Sequence, residues 1–205
     1  MRKGLLIVVS APSGCGKGTV LSKVRERHEF FYSVSATTRP PRPEDTEGKT
    51  YFFLTEEEFR SKIDNGSMLE YAEYNGNFYG TPMEPVMAHL DKGEDVVLEI
   101  EVKGAMQVKS KMPEAEMIFI LPPSIDTLRQ RLIKRGTESL DVIEERVAKA
   151  AEEISRAPEY DHVIVNDVLE DAVDDIIKVI DAKEMTAVRC HDMIKKVLDQ
   201  GDDRT

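Results

Sequence analysis

Lys17 closes a run of small residues, Ser10-Ala11-Pro12-Ser13-Gly14-Cys15-Gly16, and is followed by Gly18 and Thr19. A segment with so few large side chains lets backbone N–H groups converge on an anion, and the lysine adds a point charge beside them. The spacing is close to GxxxxGK[ST], the pattern in which a glycine loop and a lysine cradle phosphates ahead of a helix. It departs from that pattern twice. Ala11 stands for the first glycine, which a negative φ would allow, and Gly18 stands for the hydroxyl residue that ordinarily ligates Mg²⁺. Thr19, one residue on, or a water would then have to take that contact.

Cations are the second signal. Arg39 and Arg42 lie in a proline-bounded stretch, and Arg131 and Arg135, four residues apart, share a helix face, with Arg146 further on. Arginine binds phosphate oxygens in a bidentate fork. Phosphoryl transfer needs such groups, because its catalysis is mostly positioning and charge neutralisation. The glycine break after Arg135 suggests a hinge, and hinged segments that close over phosphates exclude water. Carboxylates are the third signal. Glu99 and Glu101 are expected to end a core strand and, by alternation, to share one face on the Mg²⁺ side of the phosphate site. Glu70, in Met68-Leu69-Glu70-Tyr71, reads equally well as a site residue or a solvated strand position.

These residues need a scaffold. Leu5–Val9 is a short apolar run suited to a strand buried on both faces, and Thr19–Arg27 reads as the helix after the loop. Tyr32–Arg42, with Pro40, Pro41 and Pro43 at its end, reads as a loop presenting the two arginines. Thr50–Phe53 is expected as a strand. Thr55 and Glu58 form a capping box for a helix over Glu56–Asn65. Asn75-Gly76 marks a hairpin between Met68–Tyr74 and Asn77–Thr81, and a helix opens at Thr81-Pro82 and runs to Lys92. Further on, strands Asp95–Glu101, Glu116–Leu121 and His162–Val165 alternate with helices over Gly104–Met112, Ile125–Arg135, a long amphipathic stretch from Leu140 to Ile154, and Leu169 onward. The tail Asp199–Thr205 is polar and expected to fray. The fold class is therefore three-layer α/β with a central parallel sheet. Residues 1–34 and 93–205 form its core, 35–92 an inserted mixed α+β lobe, and 125–148 a helical lid.

The chain has 205 residues and a net charge of −11, a balance that argues against general nucleic-acid binding, which needs a basic face. A local arginine cluster can still hold a small anion, since charges are screened over about 8 Å at physiological salt. Met1-Arg2-Lys3-Gly4 and five apolar residues are too short for a signal or a membrane span, and two distant cysteines suggest no disulfide. The expectation is a cytoplasmic protein with no membrane partner. The four histidines, His28, His89, His162 and His191, show no metal-ligand spacing.

Several stretches together resemble the guanylate kinase family: SAPSGCGKGT, SATTRPPRPEDTEGKTYFF, LEYAEYNGNFYGTP, LEIEVKGA, RLIKRGTES with ERV, and YDHVIVND. The resemblance implies a P-loop NTPase fold and transfer of the γ-phosphoryl of MgATP to GMP, and to dGMP. It implies that Ala11 to Thr19, with Arg131, Arg135, Asn166 and Asp167, bind ATP. Ser35, Arg39, Arg42, Tyr51 and Tyr79 would hold the GMP phosphate. Glu70, Thr81 and Glu99 or Glu101 would read the guanine. Lys17, Arg42, Arg135 and Arg146 would neutralise charge in transfer. Mg²⁺ would come with ATP, its contacts through water to Glu99, Glu101 or Thr19. The family often has Asp where Glu101 stands. Two alternatives share the scaffold: a non-catalytic module that binds a peptide, and a kinase for another small phosphate such as AMP or a sugar phosphate.

Overall fold

The computed structural model describes residues 3–136 and 139–202. Strand β1 (Leu6–Ser10) is buried at every position and sits at the centre of a five-stranded sheet. Its neighbours are β7 (Val96–Glu99) on one side and β8 (Glu116–Leu121) on the other. Two-residue β2 (Phe31–Tyr32) closes one edge and β9 (His162–Val165) the other, and all pairings are parallel.

Alternation along β1 and β7 sends side chains to two faces. Leu6, Val8, Val96 and Leu98 pack on α3 (Met83–Asp91) through Val86 and Leu90, and on α4 (Val102–Lys111) through Ala105 and Val108. Ile7, Val9 and Val97 face α1 (Lys17–Arg27) through Val20, Leu21 and Val24, and α7 (Leu169–Glu184) through Val173 and Ile176. Helices after β1 and β7 thus lie on opposite faces of the sheet, which opens a crevice at the carboxyl ends of those two strands.

A second, four-stranded sheet has the order β4-β3-β6-β5, from β3 (Ala36–Thr37), β4 (Phe52–Phe53), β5 (Met68–Tyr74) and β6 (Asn77–Pro82). Its own cluster is small: Ala36, Phe59 and Met68, backed by Phe52, Leu54, Ile63 and Phe78. Phe59 comes from α2 (Glu56–Asp64), whose N-terminus carries the expected capping box between Thr55 and Glu58. The hairpin turns at Asn75 (φ 50°) and Gly76 (φ 72°), the left-handed pair that a two-residue turn of this kind requires. The remaining α-helices are α5 (Ile125–Arg135), α6 (Leu140–Ile154) and α8 (His191–Asp202), with a 3-10 turn at Ala157–Glu159.

The structure corrects several expectations. Tyr32–Arg42 is not one loop, because Tyr32 belongs to β2 and Ala36–Thr37 forms β3. The strand expected over Thr50–Phe53 is confined to Phe52–Phe53. The first helix begins at Lys17 instead of Thr19, and α4 begins at Val102 instead of Gly104. Strand β7 stops at Glu99, so Glu101 does not end it; Glu101 is the N-cap of α4. The expected frayed tail is helical through Asp202. Thr137 and Glu138 of the RLIKRGTES stretch, and Asp203–Thr205, lie outside the described residues.

Candidate active site

The loop between β1 and α1 turns on two glycines with positive φ, Gly14 at 95° and Gly16 at 81°. A β-carbon at Gly14 would also lie 2.9 Å from Leu132 Cδ2 of α5, so that position needs both the conformation and the space. Cys15 is fully buried with Leu128, Leu132, Ile143, Val147 and Ala150 of α5 and α6. Burial pushes its thiol up to about 12, which makes it a filler of the loop's underside and not a nucleophile. Asn166, just after β9, donates its side-chain amide to Cys15 O at 2.7 Å, and Arg131 donates to Asn166 O at 2.9 Å. Buried packing and a buried hydrogen bond therefore hold the loop from below.

Above these contacts lies a cavity of about 380 Å³ lined by Gly14, Cys15, Gly16, Thr19, Arg131, Arg135, Asn166 and Asp167, together with Lys134 and Leu169. Eight of those ten residues are ones that the resemblance places around ATP. Lys134 and Leu169 are additions that only the folded chain shows.

Lys17 Nζ donates to Ile100 O at 3.3 Å and lies 3.9 Å from Glu99 Oε1. Burial lowers its pKa, and the charges of Glu99, Glu101 and Glu153 act against that. Glu99 in turn accepts a short hydrogen bond from the Tyr32 hydroxyl on β2. Its carboxylate also faces residue 18: a β-carbon there would stand 3.7 Å from Glu99 Oε1. The position that lacks a hydroxyl is thus supplied with a carboxylate. Among the described residues no three His, Cys, Asp or Glu side chains converge as a metal cage. This donor set fits Mg²⁺, which usually keeps several waters and binds one or two carboxylates plus substrate phosphates.

The second sheet carries the other group of cations and rings. Arg39 is held by Asp45 at 2.8 Å and by Pro40 O at 2.9 Å, and its guanidinium lies 5.5 Å from the Tyr51 ring centroid. Tyr51 and Tyr79 meet edge to face at 5.9 Å. The Asp45 carboxylate also accepts from the Arg42 backbone N–H at 2.7 Å, so one acid shapes the turn that presents both arginines. Asp45 was not singled out in the sequence; only the folded turn shows its two contacts. Ser35 O accepts from Phe52 N at 2.9 Å, which ties that residue to the same sheet. Arg42 is exposed, and Arg146 is half-buried on α6.

Glu70 is buried, with 6% exposure, and accepts from the Thr81 hydroxyl at 2.7 Å. Burial raises its pKa, although the Thr81 hydrogen bond and the Lys111 charge oppose the shift. A register shift between Met68 and Glu70 explains the placement. Met68 joins the small cluster of the second sheet, Leu69 joins the main core, and Glu70 is left on neither apolar surface. Glu101, exposed at the start of α4, exerts its charge on Glu70 and on Lys17 alike.

A glycine loop at the carboxyl end of a central parallel strand, feeding a lysine into a helix, defines a P-loop NTPase-like α/β fold, here with a second mixed sheet whose edge strand β5 meets α4. The family model for guanylate kinase matches residues 3–183, and the chain belongs to that family. It is 53% identical over 182 residues to a guanylate kinase of Lactococcus lactis, covering 88% of this chain and 89% of that one. A guanylate kinase of Streptococcus thermophilus is 52% identical over 189 residues, covering 91% and 90%. The crystal structure of guanylate kinase from Anaplasma phagocytophilum superposes with a TM-score of 0.73 at 36% identity, over 92% of this chain and 90% of that one. The family's reaction is phosphoryl transfer from ATP to GMP. Among the described residues no helix is long and apolar enough to cross a membrane.

Proposed function

We propose that this chain transfers the γ-phosphoryl group of ATP to GMP, and to dGMP, giving ADP and GDP or dGDP. The observation that carries this reading is the buried Glu70–Thr81 pair on the two paired strands that also carry Tyr79, whose ring meets Tyr51 beside Arg39. A carboxylate has about four lone-pair sites, and Thr81 uses one. The others can accept from the N1–H and N2–H₂ of guanine. Adenine offers an N1 lone pair at that edge, which would leave the carboxylate unpaired and costly.

The roles follow from position. The loop from Ala11 to Gly18, with Thr19, holds the ATP phosphates through its free backbone N–H groups, which Pro12 lacks, and Lys17 exchanges its contact with Ile100 O for a phosphate oxygen. Arg131, Arg135, Asn166 and Asp167 line the donor side. Ser35, Arg39, Arg42, Tyr51 and Tyr79 hold the acceptor phosphate, and Glu99 or Glu101 assists at the base or at Mg²⁺ through water. Mg²⁺ supplies neutralisation of the triphosphate when bound. The acceptor oxygen attacks the γ-phosphorus in line, and no strong base is needed because a phosphate monoester is largely ionised near neutral pH. Lys17, Arg42, Arg135 and Arg146 balance the charge that spreads over the transferred group. Residues 35–92 act as the acceptor lobe, 125–148 as a lid, and 1–34 with 93–205 as the core. The free thiols of Cys15 and Cys190 and the intracellular substrates support action in the cytoplasm.

A coupled ADP-release assay with GMP, dGMP, AMP and a sugar phosphate as acceptors tests the reading. Turnover with GMP and dGMP is expected, with AMP far behind. No ADP release above the GMP-free background would leave the peptide-binding alternative, and equal use of AMP would remove the base-reading role.

A further inference from the structure

Gly104 lies in the first turn of α4, where φ is that of an ordinary helix, so no backbone strain calls for glycine. Alanine is the better helix former there. The reason for glycine is space: a β-carbon at 104 would stand 2.5 Å from Glu70 Oε2, 3.1 Å from its Cδ and 3.3 Å from its Cγ. The other carboxylate oxygen, Oε1, is fixed by Thr81 at 2.7 Å. Glu70 is therefore seated between a hydroxyl and the bare face of a helix N-terminus, where a negative charge is favoured.

The same helix grips the strand that carries Glu70. Gln107 Nε2 donates to Tyr71 O at 2.8 Å, and Gln107 Oε1 accepts from Tyr71 N at 3.2 Å. One turn on, Lys111 Nζ donates to Met68 O at 2.7 Å. Three residues of α4, spaced at 104, 107 and 111, thus lie along one face and meet β5 on both sides of Glu70. The register shift lies between Met68 and Glu70, and Tyr71, paired with Gly80, offers its free backbone groups to α4 because β5 is the edge strand of its sheet.

The geometry points to Gly104 and Gln107 as positioning residues for acceptor-base selection: α4 sets where the Glu70 carboxylate stands, Gly104 by leaving room for it and Gln107 by locking the backbone of the next residue. This inference rests on the reading of Glu70 as the guanine acceptor, and its test separates the two. Both residues meet β5 and neither is among those assigned to phosphate, so the effect should fall on the acceptor's KM and on base preference. The KM for ATP should not follow.

The experiment is a double-mutant cycle. Gly104→Ala, Gln107→Ala, Glu70→Ala and the two doubles with Glu70→Ala are assayed with GMP, IMP and AMP, and their Tm values are measured. Because the clash falls on the end of a flexible side chain, Gly104→Ala should fold, with Tm unchanged or raised. Its KM for GMP should rise about tenfold or more, the effect of an ill-placed hydrogen-bond partner. Selection of GMP over AMP should fall, and the KM for ATP should stay the same. Gln107→Ala should move KM for GMP in the same direction by less, and serves if the first variant is unstable. In the Glu70→Ala background neither change should raise KM further. A rise of equal size with and without Glu70, or no rise at all, would overturn the inference. If Glu70→Ala alone leaves KM for GMP and base preference intact, the base-reading role falls first, and that result is distinct from a failure of coupling.

Discussion

The two cradles of this molecule are built on opposite principles. The loop around Lys17 is a backbone site, set by Gly14 and Gly16 in left-handed conformations and clamped from beneath by Asn166 and the α5–α6 cluster. The cradle proposed for the acceptor is a side-chain site, in which Glu70, Tyr79 and Thr81 project from a small sheet and Arg39 and Tyr51 from the segment between β3 and β4. The first sits at the end of a fully buried strand flanked by two large clusters. The second rests on a cluster with only three buried members. A backbone site recognises any triphosphate and depends on the core's rigidity, whereas a side-chain site supplies chemical discrimination and depends on how well a few groups are held.

The sharpest break of the comparison removes the charged side chain at the centre of the backbone site. Lys17→Ala should lower kcat by about 10³-fold, in the range seen when a preorganised charge is deleted from a transition state. GMP binding, measured by calorimetry, should survive, since the Lys17 side chain meets Ile100 O and Glu99 and not Arg39, Tyr51, Glu70, Tyr79 or Thr81. Loss of GMP binding alongside kcat would mean that the two cradles are not separate.

Next is the support of the weaker sheet. Phe59 is fully buried and stacks on Phe78 at 5.5 Å between centroids. Phe59→Ala should cost about 3 kcal/mol, the usual consequence of emptying a buried aromatic position. Because the cluster is small, the damage should be local: KM for GMP should rise well before KM for ATP. Parallel increases would show that the second sheet and the loop share one cooperative unit. A smaller effect is expected under the loop. Asn166→Ala removes the 2.7 Å bond to Cys15 O and leaves that carbonyl unpaired. The expected cost is about 1–3 kcal/mol, with a rise in KM for ATP and none for GMP.

The same difference makes one region more legible in the sequence than the other. The strand, glycine loop and helix around Lys17 were readable because the chemistry is carried by backbone, and a backbone requirement leaves glycines and small residues at set spacing. Asn75-Gly76 was readable for the same reason. The two-residue strands β2 and β3 have no periodicity to read, so Tyr32–Arg42 looked like a loop. Glu101 was misplaced because DVVLEIE continues as an alternating pattern past the point where parallel pairing with β1 ends at Glu99. The contacts of Asp45 and the wedge at Gly104 depend on residues brought together by folding, and neither had a local signature.

The mildest expected effect concerns pH and sets one carboxylate in the second cradle against the rest. Burial raises the pKa of Glu70 in the folded chain above its unfolded value. Between the two values the folded state holds a proton that the unfolded state has released. Stability from this group is therefore fully present below the unfolded pKa and declines as pH rises through the folded one. Glu153 on α6 is shifted the same way, chiefly by burial, and adds to the slope. Glu70→Gln should flatten its share, so the Tm of wild type and variant should be closest in acid and diverge, to the variant's advantage, as pH rises above the ordinary carboxylate range. Addition of GMP should narrow that gap, since the base offers the ionised carboxylate the partners it lacks. A gap that is constant with pH would show that Glu70 is ionised at no cost in the empty cradle, and that its selectivity owes nothing to an unsatisfied charge.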